Sequence, residues 1–191
     1  MRQLLKKYGK GEKVLLLFLI TNLVYAFMIL ITIPKVMKYA NGMNLFDMMP
    51  TGYSIQYTKT LLETLGIQGR KTYLYSQIPV DMIYPLLFGI TYCLLVVYLL
   101  NKIKLIEKPI IYLSLLPIFA GLFDYLENIG IITMLNSYPD FSSLTSEITN
   151  VFTIIKSVLS TITFIFLLIL FTIFIVKKIK KQKHKITSSS N

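Results

Sequence analysis

Residues 117–135 read PIFAGLFDYLENIGIITML. The run is apolar enough to lie in a bilayer, yet it carries Asp124, Glu127 and Asn128. Spaced i, i+3, i+4, these three side chains share one face of a helix. Carboxylates in hydrocarbon are costly, and they turn toward a partner, a cavity or a pathway rather than toward lipid. The segment therefore predicts a membrane-spanning helix and a polar interior for it to face.

Working outward, further apolar runs reach the ~20 residues that a spanning helix needs. The four expected spans cover about 14–33, 79–100, 109–135 and 148–176. More than half of the 191 residues are hydrophobic, and mean hydropathy is +0.64. The runs do not alternate with the short period of barrel strands. The expected fold class is all-α, a polytopic membrane four-helix bundle with a short extracytoplasmic helical cap over 34–78. The run 14–33 is long for a signal-peptide core and lacks a clear A-x-A site after it, so it reads as a retained span ended by Pro34. Thr21 and Asn22, near its middle, suit either interhelical hydrogen bonding or a ligand.

Within the cap, Pro50-Thr51-Gly52 is a turn signal. Ser54 is placed to cap a helix through Leu65, with Ile55, Leu61, Leu62 and Leu65 as its apolar side and Gly66 as its stop. Tyr73 and Tyr75 suit the headgroup level, and Met43, Met48 and Met49 read as soft packing. Pro79 fits a helix start, where Asp81 can favour the positive helix terminus. Pro85 predicts a kink or a tight first turn, and Pro117 and Gly121 are the expected bend points of the third span.

Net charge is +11. The lysines flank hydrophobic spans, so orientation and anionic lipid account for them better than nucleic acid does. Basic segments cover the head 1–13, the turn 101–108 and the tail 177–191, where Lys177, Lys178, Lys180 and Lys181 are the expected lipid-headgroup contacts. These segments hold fourteen of the Lys and Arg residues, against five in the long loop. Positive charge is retained on the cytoplasmic side, so both termini are expected there, in a plasma-membrane protein with its long loop outside. Residues 186–191 are expected to be disordered. Cys93 sits alone in an apolar run and His184 alone in the tail. No disulfide framework, metal cluster or Ser/His/Asp triad is expected, and no cofactor.

Orientation sets depth. Glu127 lies eight positions before Leu135, and Lys156 eight positions after Ile148, each about 12 Å below the same boundary at 1.5 Å per residue. Asp124 is slightly deeper, and Asp81 lies near the start of its span. Three carboxylates then outnumber one ammonium by two charges, and at least one carboxyl is expected to hold its proton. The cluster reads three ways: a functional pocket, a Glu127–Lys156 pair that sets helix register, or a Lys156 that snorkels to the surface.

The stretches LFDMMPTGYSIQYTKTLLETLGIQGRKTYLYSQIPVDMIYP and FDYLENIGIITMLNSYP resemble small four-span membrane proteins of bacteria. That resemblance covers most of the chain and implies no activity. In span number and in the buried acids Asp81, Asp124 and Glu127, the chain is also similar to the EXPERA group of sterol isomerases and sigma-2-receptor proteins. Those set carboxylates within an outer or lumenal cavity of a four-helix bundle. The isomerase's histidine has no intramembrane counterpart here. The reading that results is a lipid-embedded protein that binds or carries a small lipid-like or cationic molecule at Asp81, Asp124, Glu127, Asn128 and Lys156. An intramembrane enzyme using a buried carboxyl as acid or base, and a structural or assembly subunit, are the alternatives.

Overall fold

The computed structural model describes residues 11–189, with side chains as far as Gln182. Most of the expected basic head, and positions 190–191, lie outside the described residues. Among the described residues the chain is all helix and connection, with no strand. Four helices are long and apolar enough to cross a membrane: Gly11–Met37, Ile55–Lys102, Pro109–Ser137 and Ser143–Gln182. The protein is a multi-pass α-helical bundle.

Helix α1, Gly11–Met37, does not stop at Pro34. Proline has no N–H for the carbonyl four residues back, and its ring crowds that carbonyl. The chain makes room with a π-turn, Met28–Thr32, in which the Ile33 N–H reaches back to the Met28 carbonyl. The same device recurs after α2, Ile55–Thr72. There a second π-turn, Tyr73–Gln77, precedes Ile78-Pro79, and the Ile78 N–H reaches the Tyr73 carbonyl. Thr32 Oγ1, which closes the first π-turn, hydrogen-bonds to the Gln77 Oε1 that closes the second. Pro79 therefore sits inside a helical run instead of opening a span. The run Ile78–Asp81 gives way at Met82–Ile83, and α3, Tyr84–Lys102, restarts with Pro85 in its first turn. A 3-10 turn, Pro109–Leu115, leads into α4, Leu116–Ser137. Helix α5, Ser143–Ser189, begins ahead of the expected Ile148 and extends over positions 186–189 of the segment expected to be disordered.

Ser54 caps α2 as its position predicts, accepting from the Tyr57 N–H at 3.1 Å. Leu61, Leu62 and Leu65 are its buried side. Gly66, at φ +58°, breaks the helix without ending it. That left-handed backbone suits glycine because no Cβ clashes there. Arg70 folds back across the break to donate to the Leu62 carbonyl at 2.7 Å, and lies 4.1 Å over the Tyr138 ring. Tyr73 is fully buried rather than at a headgroup level, whereas Tyr75 is exposed. The cap core of Phe46, Leu61, Leu62, Leu65 and Tyr73 packs on Ile131 and Met134 of α4.

The spans pack in the order α5 on α4, α4 on α3, and α3 on α1. Gly121 serves a close approach: a Cβ there would stand 2.6 Å from the Pro85 carbonyl oxygen of α3. Small residues permit such backbone contact between spans. Thr21 of α1 pairs with Thr91 of α3 at 2.7 Å. At the end of the bundle away from the cap, the tail end, Lys177 donates to the Ile103 carbonyl at 2.8 Å. The basic turn after α3 and the basic stretch of α5 thus share one end.

Candidate functional site

Asp124 and Glu127 lie on the face of α4 that meets α5, and Lys156 and Thr153 lie one turn apart on the matching face of α5. The Lys156 ammonium pairs with Asp124 Oδ1 at 3.2 Å and with Glu127 Oε2. Glu127 is fully buried, and its other oxygen accepts from Thr153 Oγ1 at 2.7 Å. Lys156 does not snorkel; its side chain is 14% exposed. Each charge of this triad meets an opposite charge or a donor, as buried ions require.

Asp81 stands apart. It is 3% exposed and, among the described residues, no ammonium lies within ion-pair distance of it. Asn128 donates to its backbone carbonyl at 3.1 Å, but its side-chain Oδ2 is buried with no hydrogen-bond partner. Asp81 does lie in the first turn of the short helix Ile78–Asp81, but that helix continues from the π-turn Tyr73–Gln77 and so is not the start of a span. A buried acceptor left without a donor costs about 1–3 kcal/mol.

Asp81 is one of the residues lining a cavity of about 670 Å³ between α1, α3, α4, α5 and the 3-10 turn Phe46–Met48, its Oδ2 lying just behind the cavity surface. Its polar wall is Asp47, Asp81, Asp124, Lys156, Ser157 and Ser160. Its aromatic wall is Tyr25, Tyr84, Phe88, Tyr92 and Phe164. Tyr25 and Tyr84 are stacked with centroids 5.4 Å apart, and Phe88 and Tyr92 are 4.7 Å apart. The π-turn of α1 supplies Met28 and Ile29 to the same wall.

Of the five residues read as a ligand site, Asp81, Asp124 and Lys156 line the cavity. Glu127 and Asn128 are buried behind it, between helices. Asp47 is the wall residue that sequence reasoning missed. It accepts from the Tyr73 hydroxyl, and Gln77 Nε2 lies 3.5 Å from its other oxygen. A lone acid inside LFDMM was the available signal. Four carboxylates, Asp47, Asp81 and Asp124 at the cavity and Glu127 behind it, stand near one ammonium among the described residues, that of Lys156, which pairs with Asp124 and Glu127. Beyond the spans, burial first and the carboxylates of Glu127 and Asp47 after it push the Tyr53 phenol well above its ordinary value. Tyr53 is a neutral residue of the cap core.

Among the described residues no group of three or more His, Cys, Asp or Glu is arranged to hold a metal ion. Of the expected headgroup contacts, Lys177 is engaged with Ile103, while Lys178, Lys180 and Lys181 are exposed along α5. No family model, no curated protein and no solved structure matches the chain.

Proposed function

We propose that the protein binds or carries a small cationic, lipid-like molecule in the acidic cavity, with Asp81 as its anchor. The observation that carries this reading is the buried, unpartnered Oδ2 of Asp81, a residue in the wall of a 670 Å³ space. An N–H donor of a cationic ligand would satisfy that oxygen and offset the surplus of negative charge around it. Aromatic faces on the opposite wall suit a cation, which ring quadrupoles attract within about 6 Å. The triad of Lys156, Asp124 and Glu127 then has a structural part: it holds α4 on α5 and keeps the ammonium away from Asp81.

The same reading places both termini in the cytoplasm of a plasma-membrane protein. It is supported by the basic turn and the basic stretch of α5 lying at one end of the bundle, since short basic segments are retained on the cytoplasmic side. The cavity would then open toward the outer leaflet.

The test is a titration of n-octylamine against the detergent-purified protein, read by thermal unfolding. Saturation at about a hundred times Kd stabilises a protein by about 2.7 kcal/mol, so the midpoint should climb with amine concentration. In Asp81→Asn the climb should vanish while the unliganded midpoint stays at or above that of the parent. Equal responses from parent and variant would show amine acting on the micelle alone and would remove the proposal.

A further inference from the structure

A second hollow of about 950 Å³ runs between α1 and α5. Its walls are mostly apolar, with Asn22 at one end and Glu12 at the other: Leu15 and Phe18 of α1 and Leu168 and Phe171 of α5 line its sides, with Leu95 and Leu99 from α3. The cleft exists because α1 packs on α3, whereas α5 packs on α4 and α3. Leu15 and Leu168 are 59% and 67% exposed, so the cleft is open along its side, toward where lipid would lie.

The two hollows adjoin at three shared side chains. Asn22, Tyr92 and Phe164 line both. One face of α3 floors the whole length: Tyr84, Phe88 and Tyr92 under the cavity, then Tyr92, Leu95 and Leu99 under the cleft. These positions follow the three- and four-residue steps that keep side chains on one helix face. The aromatic lane passes without a gap from Tyr84 to Phe88 at 5.8 Å, Phe88 to Tyr92 at 4.7 Å, and Tyr92 to Phe18 at 6.2 Å. Polarity is graded along it. Asp47, Asp81, Asp124 and Lys156 stand at the cap end, the α1 wall past Asn22 is apolar through Phe18 and Leu15, and Glu12 lines the far end. From Asn22 to Gly11, where the cleft ends, α1 rises about 16 Å at 1.5 Å per residue.

We infer that the cavity and the α1–α5 cleft are one site for a single-chain amphiphile, its primary ammonium at Asp81 and its unbranched tail between Leu15, Phe18, Leu168 and Phe171. This rests on the cationic ligand proposed above and names its chemical class. A compact cation without a tail would leave the cleft unused. The tail reaches its place sideways from the bilayer, between α1 and α5, so the head need not cross the cap.

The experiment uses the full chain in phosphatidylcholine nanodiscs and two photoreactive n-dodecylamines, one with a diazirine at the terminal carbon and one with it beside the amine. Labelled residues are read by peptide mass spectrometry. The terminal probe should label Leu15, Leu168 or Phe171, and the other should label cavity residues such as Tyr84. Asp81→Asn should lower both yields at least tenfold. Leu168→Trp, which fills the cleft, should lower only the terminal label, and Leu16→Trp, on an exposed part of α1 outside the cleft, should change neither. The Trp variants keep the test open if Asp81→Asn fails to fold. Head labelling in the cavity with tail labels scattered over the bundle would overturn the single-site inference and leave the cation site standing. Loss of head labelling as well would remove both. Cleft labelling that survives Asp81→Asn unchanged would mean that ordinary lipid fills the groove, which also overturns the inference.

Discussion

Replacing Lys156 by methionine tests whether α4 and α5 are held by charge. Lys156 is the one ammonium facing Asp124, at 3.2 Å, and Glu127. Methionine keeps much of the side-chain volume and removes the charge. Two carboxylates are then left buried side by side, and Glu127 keeps only its Thr153 donor at 2.7 Å. Breaking a buried pair by removing one partner typically costs about 3–5 kcal/mol. For a chain of this size each kcal/mol moves the midpoint by about 2–4 °C, so the expected loss is about 6–20 °C. Glu127→Gln alone should cost less, about 1–3 kcal/mol, because Lys156 keeps Asp124 and the amide oxygen can still accept from Thr153. The combination Lys156→Met, Asp124→Asn, Glu127→Gln should recover most of the loss, since neutral groups of similar shape replace the whole triad. Unfolding of the purified proteins in one detergent, scored as a mutant cycle, measures the coupling. A Lys156→Met variant within 1 kcal/mol of the parent, or a triple variant no better than the single one, would refute the claim that this charge holds the helices.

Other expectations follow from single contacts. Asp81→Asn should leave thermal stability equal or higher while amine binding falls at least tenfold, the opposite of Lys156→Met, as paired unfolding and binding assays would show. Gly121→Ala puts a methyl 2.6 Å from the Pro85 carbonyl oxygen, so α3 and α4 must part; about 1–3 kcal/mol is expected on unfolding. Gly66→Ala meets no neighbouring atom, yet carries the left-handed backbone. Its expected cost is about 1–2 kcal/mol from conformation alone. Thr32→Val and Gln77→Leu each unpair a buried group, about 1–3 kcal/mol apiece, and the double variant should cost less than their sum.

Counting residues from each end of an apolar run is enough to set Glu127 and Lys156 at one level, because helical rise is constant. The side each acid faces is harder to read. Positions 124 and 127 differ by about 60° around a helix. That is enough to leave Asp124 at the cavity wall and turn Glu127 into the seam with α5. Asp47 escaped notice because periodicity says nothing about a connecting segment, and only the folding of the 3-10 turn against Tyr73 and Gln77 brings it inward. Pro34 and Pro79 misled in the same way. Read locally each ends or opens a helix, but a π-turn lets the chain continue, and the two π-turns are joined by the tertiary bond between Thr32 and Gln77. The cap helix was legible from Ser54 and its leucines, since capping and amphipathicity act over a few residues.

A π-turn also sets rotational phase. One surplus residue at Met28–Thr32 turns everything upstream in α1 by about 100° relative to Ile33–Met37. Deleting a single residue there would restore a regular helix of the same composition and hydropathy. It would still swing Asn22 and Tyr25 off the wall they now share with Tyr84, toward the bilayer. The shape of the hollow therefore depends on chain length within five residues as much as on the side chains that line it.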